Sequence, residues 1–112
     1  MSKRGDAELV EDIAEAIARI ERYTAGATDE AVLQDTRRQD AVVRNLGIVG
    51  EAVKRLSPEF RKQRPHIRWP DVAGMRDRLV HDYFGVNWTI VWDVIQTKLP
   101  ELKAALRGES DT

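Results

Sequence analysis

The sequence predicts an all-α protein, folded as an antiparallel helical bundle of four long or medium helices plus short ones. Apolar residues recur at three- and four-residue steps along most of the chain, as in Ile13, Ile17 and Ile20. Residues that cap or stop helices separate these segments. No segment shows the regular alternation of apolar and polar residues that is typical of a half-buried strand. The pattern therefore favours helices packed on helices.

Cap and stop signals divide the first half of the chain into a long helix, a short one and a second long one. The expected segments are Asp6 to about Tyr23–Gly26, Thr28 or Asp29 to Leu33, and Asp35 to about Leu56. Asp6 is expected to be the N-cap of the first helix. Gly47 and Gly50 lie inside the second long helix, where each costs up to about 1 kcal/mol against alanine. Their presence predicts that another helix or a ligand approaches closely there.

Prolines organise the second half of the chain. The expected segments are a short helix from Ser57-Pro58-Glu59 to Arg64-Pro65, an extended connector over 65–70, a helix from Pro70 to Gly85 and a last helix from Asn87 that Pro100 kinks. The connector is expected to be extended because a proline disfavours helical backbone in the residue before it. The predicted helix from Pro70 to Gly85 carries most of the candidate functional residues described below.

Length and composition predict one soluble domain. The 112 residues are expected to form a single helical domain over 1–107, followed by a frayed tail over 108–112. No apolar run approaches the roughly 20 residues that a bilayer span requires, and the chain has no cysteine. These features predict a cytoplasmic protein without a membrane partner. With two histidines and no cysteine, neither a metal nor a cofactor is expected.

The net charge of −1 hides a marked asymmetry along the chain. Residues 1–35 carry four basic and nine acidic side chains, whereas residues 36–69 carry nine basic and three acidic ones. A basic segment of this kind can attract the phosphates of a nucleic acid. A solvated helix face has the same composition, so charge alone does not choose between the two interpretations.

The candidate functional residues lie in the stretch Met75–Tyr83. His81 is the likeliest acid–base group near neutral pH, since the ordinary pKa of histidine is about 6.5. Arg76 lies five positions earlier, about 140° around an ideal helix and about 7.5 Å along it. One small ligand would therefore contact both side chains only if a groove or a second copy of the helix completed the site. Asp77 is one turn before His81 and could orient its imidazole.

Each of these residues also has a plain structural interpretation. An arginine and a histidine on one helix are often both solvated, and Tyr83 can be a packing residue. His66, between two prolines, is expected to be a connector residue rather than a ligand. Trp88 and Trp92 are expected in the core or at a dimer interface rather than as a platform for stacked bases.

Three blocks of the sequence resemble the HepT-like branch of the HEPN domain toxins. They are Arg44–Ala52, with Val49 where isoleucine is usual; Pro65, Ile67 and Trp69 before the motif; and Arg78–Tyr83 within an Arg-x4-His-x-Tyr pattern formed by Arg76, His81 and Tyr83. The pattern alone is weak, but three blocks in this order and spacing over nearly the whole chain are specific.

The resemblance implies a HEPN-like homodimer of helical bundles that acts as a metal-independent endoribonuclease. Arg76 and His81 match its catalytic pair, with Asp77 and Glu51 in supporting positions, although Glu51 is equally well explained as an exposed helix acid. The implied partners are RNA and a small nucleotidyltransferase antitoxin, which transfers AMP from ATP to the tyrosine that matches Tyr83. The alternative is a non-catalytic helical module that docks the nucleotidyltransferase and binds nucleotide.

Overall fold

Two long helices form the centre of the fold, and shorter helices pack around them. The computed structural model describes residues 5–75, 77 and 88–107, and none of these lies in a strand. The helices are α1 (Asp6–Thr24), α2 (Asp29–Leu33), α3 (Thr36–Arg55), α4 (Pro58–Lys62), α5 (Trp69–Ala73), α6 (Trp88–Asp93) and α7 (Leu99–Leu106), with a π-helical turn over Val94–Lys98 between the last two. The predicted all-α class is confirmed.

Three of the predicted helix starts are confirmed by their capping hydrogen bonds. The Thr28 hydroxyl accepts a hydrogen bond from the Ala31 N–H at 3.1 Å at the start of α2. Asp35 accepts one from the Arg38 N–H at 3.2 Å at the start of α3. Ser57 caps α4 in the same way, through the N–H of the residue three positions on. Each bond satisfies a donor that the first helical turn leaves without a partner.

Asp6 does not cap α1, contrary to the prediction. Gly5 occupies the N-cap position, and Asp6 is the first helical residue. The Asp6 carboxylate instead accepts hydrogen bonds from the N–H of Ser57 at 2.9 Å and from its hydroxyl at 2.6 Å. The start of α1 is thereby tied to the start of α4, a tertiary contact that sequence periodicity does not indicate.

α1 and α3 run antiparallel and bury most of their apolar faces against each other. The start of α1 meets Ser57, just beyond the end of α3, whereas Arg19 and Tyr23 near the end of α1 share a cavity with residues in the first half of α3. The fully buried side chains of this pair are Leu9, Ile13 and Ile17 with Ile20 from α1, and Val42, Leu46, Val49 and Val53 from α3. Val91, Leu99 and Leu102 extend the same core. No helix within the described residues is both long and apolar enough to span a membrane.

The connector before α5 is a series of turns rather than an extended segment. The Ile67 N–H donates to the Arg64 carbonyl at 3.2 Å, and the Trp69 N–H donates to the Ile67 carbonyl at 3.0 Å. The buried Trp69 indole N–H is shared between the carbonyls of Arg61 and Arg64, at 3.1 and 3.2 Å. Burying this ring requires a partner for its N–H, and the turns supply two carbonyls.

The helix that was predicted from Pro70 to Gly85 is interrupted at Gly74. α5 ends at Ala73, and the Gly74 N–H donates back to the Pro70 carbonyl at 3.0 Å. Met75 and Asp77 are helical again. Residue 76 and residues 78–87 lie outside the described residues. The second range includes Gly85, the predicted end of this helix, and Asn87, the predicted cap of the next.

The C-terminal segment changes helix type just before Pro100. The Leu99 N–H donates to the Val94 carbonyl, five residues back, as in a π-helix. Pro100 has no N–H to donate to the carbonyl four residues back. The α-helical hydrogen-bond pattern is therefore interrupted at the residue that follows the π-helical turn. The side chain of Arg64 holds this segment to α4, because its Nε donates to the Ala105 carbonyl at 2.7 Å. The predicted tail, 108–112, lies outside the described residues.

Candidate functional site

A groove with a volume of about 1520 Å³ runs between α1 and α3. Its lining includes several small residues on the two helices and on α5, namely Ala16, Gly47, Gly50, Ala52 and Ala73. Charged side chains stand along its edges, and Asp77 and Trp88 also line it. Small side chains on packed helices leave room that larger ones would fill, so these residues contribute to the volume of the groove.

Gly50 marks the place where α5 comes closest to α3. A Cβ atom at this position would lie 3.0 Å from the Ala73 carbonyl oxygen, which is closer than ordinary van der Waals contact. The predicted approach of another helix is confirmed at Gly50. Gly47, one turn earlier, is half-buried and lines the groove, where the approach of a ligand remains a prediction.

The groove carries charges of both signs. Its described acids are Asp12, Glu15, Asp40, Glu51 and Asp77, and its described bases are Arg19, Arg44, Lys54 and Arg55. Other bases of the segment 36–69 are used elsewhere: Arg38 pairs with Asp35 at 3.3 Å, and Arg68 pairs with Asp71 at 2.9 Å. The basic segment therefore divides between the groove and solvated helix faces.

The two predicted supporting residues, Glu51 and Asp77, line the same groove, and Lys54 links them electrostatically. The Lys54 ammonium lies 3.0 Å from a Glu51 carboxylate oxygen. The hydrogen bond from Lys54 to Glu51 raises the pKa of Lys54, and the negative charges of Glu51 and then Asp77 raise it further. The side chains of Glu51 and Lys54 are 66% and 47% exposed, so both can be reached by a ligand.

Arg76, His81 and Tyr83, the predicted catalytic pair and modification site, lie outside the described residues. The structure places their neighbours instead. Met75 is buried in the core, and Asp77 is exposed at the groove. Met75 and Asp77 therefore both belong to the helical bundle beside the groove.

Lys54 is a candidate site residue that the sequence analysis missed. Its position three residues after Glu51, on the same helical face, was the signal that could have indicated it. Arg44 and Arg55 were counted in the basic segment, but their place in the groove depends on how α1 packs on α3.

The remaining candidates are placed as follows. His66 is exposed in the turns between α4 and α5, as expected of a connector residue. Trp88 and Trp92 are half-buried and pack against the core, and Trp88 also lines the groove. Within the described ranges, no cluster of three or more histidine, aspartate or glutamate side chains is arranged to hold a metal ion.

Comparison with known proteins assigns the chain to a class of RNA-cleaving enzymes. A family model described as "Ribonuclease HepT-like" matches residues 13–108. The chain is 43% identical over 101 residues to a probable ribonuclease HepT of Thermococcus cleftensis, covering 90% of this chain and 92% of that protein. A candidate RNase of Methanocaldococcus jannaschii is 38% identical over 100 residues, covering 89% and 83%.

A third relative, a candidate RNase of Caldanaerobacter subterraneus, is 44% identical over 82 residues, covering 73% of each chain. The chain belongs to the HepT-like ribonuclease family. The resemblance noted in the sequence is thus confirmed, and so is the expected enzyme class, a ribonuclease. No solved structure matches the chain significantly.

Proposed function

We propose that the chain is the toxin of a toxin–antitoxin pair and cleaves RNA internally without a metal ion. The positions of Met75 and Asp77 carry the proposal: Met75 is buried in the core, and Asp77 lines the groove. The groove that Asp77 lines, of about 1520 Å³, is large enough for several nucleotides. The match of the family model across residues 13–108, which include the whole motif, supports the same assignment.

The proposed reaction needs two groups. His81 takes the proton of a ribose 2′-hydroxyl as that oxygen attacks the adjacent phosphorus. Arg76 stabilises the negative charge that grows on the phosphoryl oxygens, because a guanidinium stays charged and binds two oxygens at once. The bond from phosphorus to the 5′-oxygen breaks, and that oxygen takes up a proton. The products are a 2′,3′-cyclic phosphate and a 5′-hydroxyl.

Asp77 and Glu51 have supporting roles in this proposal. Asp77 lies one turn before His81, where its carboxylate accepts the imidazole N–H that does not face the substrate. Glu51 lines the same groove and keeps Lys54 charged and in place. Both carboxylates are thus assigned to orienting cationic groups rather than to proton transfer.

A homodimer completes the proposed site. Since Arg76 and His81 are about 140° apart around an ideal helix, one helix presents them in different directions. Two copies related by a two-fold axis would bring an arginine and a histidine of each chain to one cleft. The half-buried Trp88 at the groove offers apolar surface for such an interface.

The proposed antitoxin is a small nucleotidyltransferase that modifies Tyr83. The phenol oxygen would attack the α-phosphorus of ATP, forming a phosphodiester to AMP and releasing pyrophosphate. The added phosphate would lie seven residues after Arg76 in sequence and would compete with RNA for that guanidinium. Ribonuclease activity would be lost because the added phosphate would occupy the Arg76 guanidinium that binds the RNA.

The second candidate function is a non-catalytic module that docks the nucleotidyltransferase. The mixed charge of the groove favours it, because five acids beside four bases attract a phosphate backbone less than a basic surface would. A protein surface with charges of both signs could fit the same groove. The two functions differ in whether RNA is cleaved.

Cleavage of labelled RNA in EDTA tests the proposal. The wild-type chain should give fragments that end in a cyclic phosphate, and Arg76→Ala or His81→Ala should each slow cleavage at least about a hundredfold. His66→Ala is the matched control, since His66 is the only other histidine and is exposed in a turn. Unchanged cleavage by His81→Ala would show that His81 is not catalytic. Absence of cleavage by the wild type would favour the second candidate function, the docking module.

A further inference from the structure

A second cavity, of about 310 Å³, adjoins the groove near the end of α1. It is lined by Arg19 and Tyr23 from α1 and by Asp40, Ala41, Arg44 and Asn45 from α3. Arg19, Asp40 and Arg44 line both the cavity and the groove, so the two spaces are continuous. A ligand in the groove can therefore extend into the cavity without leaving the surface.

Helical spacing explains why these side chains converge. Arg19 and Tyr23 are one turn apart on α1, as are Asp40 and Arg44 on α3. The cavity is thus walled by facing rows of two helices that the core holds together. Its position is fixed by the same packing that forms the bundle.

Tyr23 is an exposed aromatic residue at the wall of this cavity. Its side chain is 40% exposed, and among the described residues only Tyr23 and Ile90 are large hydrophobic residues with this degree of exposure. A ring at the wall of a polar cavity is suited to stacking with a planar ligand. Nucleobases are such ligands, and an aromatic side chain stacks with any of them.

The polar groups of the cavity match the rest of a nucleotide. Arg19 and Arg44 supply guanidinium groups, which bind phosphate oxygens. Asp40 supplies a carboxylate that can accept hydrogen bonds from a base. Asn45 is only 4% exposed; its amide donates to the Ala41 carbonyl at 2.8 Å, while its Oδ1 has no hydrogen-bond partner within the described structure. Asn45 therefore forms a buried part of the cavity wall.

We propose that this cavity binds one nucleotide of the RNA that occupies the groove. The base stacks on Tyr23, and its N–H groups donate to Asp40 at the cavity wall. The neighbouring phosphate lies between Arg19 and Arg44. The inference rests on the proposed function, since it assumes that RNA enters the groove. It adds a subsite about 10 Å along α3 from Glu51, because Arg44 is two turns before that residue.

Binding of RNA that cannot be cleaved tests the subsite separately from catalysis. A fluorescent oligonucleotide with 2′-O-methyl riboses lacks the attacking hydroxyl, so its anisotropy reports binding alone. Tyr23→Leu should weaken binding about tenfold, which is the usual effect of losing one stacked base. Tyr23→Phe keeps the ring and should bind at least about fivefold more tightly than Tyr23→Leu. Melting curves of both variants establish that they are folded.

The arginines are tested by the salt dependence of binding. Arg19 and Arg22 both pair with Glu15, at 3.2 and 3.5 Å, but only Arg19 lines the cavity. Arg19→Gln should reduce the slope of log affinity against log salt concentration by about 0.7, the value for one phosphate of a single strand. Arg22→Gln removes an equivalent pair with Glu15 and is the matched control.

The outcomes separate the subsite from the proposed function. If the wild type binds the methylated RNA but cleaves no RNA, the nuclease proposal fails. The binding of the Tyr23 and Arg19 variants then still decides whether the subsite exists. If Tyr23→Leu binds as tightly as the wild type, or Arg19→Gln and Arg22→Gln change the slope equally, the subsite is refuted even in an active nuclease. Lack of binding by the wild type also refutes it.

Discussion

Asp6 and Ser57 are 51 positions apart and are joined by two hydrogen bonds to the two oxygens of one carboxylate. The same Ser57 hydroxyl also accepts the capping hydrogen bond from the Phe60 N–H at 3.1 Å. One serine therefore starts α4 and anchors the beginning of α1. The hydrogen bonds from the Ser57 hydroxyl and N–H hold the pKa of Asp6 below its ordinary value of 3.8, and burial opposes them.

Asp6→Asn should lower the free energy of unfolding by about 1–2 kcal/mol at pH 7, because two hydrogen bonds to a charged acceptor are weakened. The folded-state pKa is depressed, so this contribution is present above pH 3.8 and is lost as the pH falls through the lower, folded-state pKa. Urea unfolding at fixed protein concentration, from pH 7 to pH 2.5, measures it. Glu8→Gln removes another acid from the first turn and should not reproduce the effect.

Gly50→Ala should destabilise the fold by about 1–2 kcal/mol although alanine is the better helix residue. The added Cβ would lie 3.0 Å from the Ala73 carbonyl oxygen, and backbone cannot rotate away as a side chain can. Gly74→Ala is the comparison, since its Cβ would meet the Pro70 carbonyl at 3.4 Å. Equal thermal stability of Gly50→Ala and the wild type would show that α5 shifts freely on α3.

Glu51→Gln should lower the pKa of Lys54, because its hydrogen bond and its charge are the main causes that raise it. Asp77→Asn should lower the same pKa by less, since the charge of Asp77 is a smaller cause. NMR titration of the Lys54 side chain between pH 8 and pH 12 measures both changes. Glu59→Gln, an exposed acid on α4, is the control. A larger change in Asp77→Asn than in Glu51→Gln would contradict the described geometry.

Incubation with the cognate nucleotidyltransferase and ATP should add adenylate to Tyr83. The chain has two tyrosines, so Tyr23→Phe is a natural control that should still be labelled. Tyr83→Phe should not be labelled, because it lacks the attacking oxygen. Mass spectrometry of the digested protein identifies the modified peptide. Labelling of Tyr83→Phe to the wild-type extent would move the modification to another residue.

The chain should sediment as a dimer at micromolar concentration, because the proposed site needs arginine and histidine from two copies. Mixing Arg76→Ala with His81→Ala should then restore part of the cleavage that neither variant shows alone, provided that each composite site takes one group from each chain. A monomer that cleaves RNA at the full rate would contradict the shared site.

The sequence predicted the helix starts at Thr28, Asp35 and Ser57 because a cap is a local arrangement of three or four residues. It did not predict the role of Asp6, whose partner is distant in sequence, or the turns before Trp69, which provide carbonyls for a buried indole. The break at Gly74 and the π-helical turn before Pro100 also depend on packing. In the candidate site, Glu51 was indicated by resemblance and Lys54 could have been indicated by its spacing from Glu51, whereas the place of Arg44 and Arg55 in the groove depends on how α1 packs on α3.

The contact between α3 and α5 makes the two ends of the groove mechanically different. At Gly50, backbone meets backbone without an intervening side chain, so no change of rotamer can alter the distance between α3 and α5 there. At the opposite end, long side chains such as Arg19 and Arg44 form the walls, and these can reorient. The end of the groove at Gly50 therefore has a fixed backbone contact, whereas the walls at the end with Arg19 and Arg44 can adapt. Such a groove would hold a phosphate backbone in a constant position near Gly50 while accepting different bases at the far end.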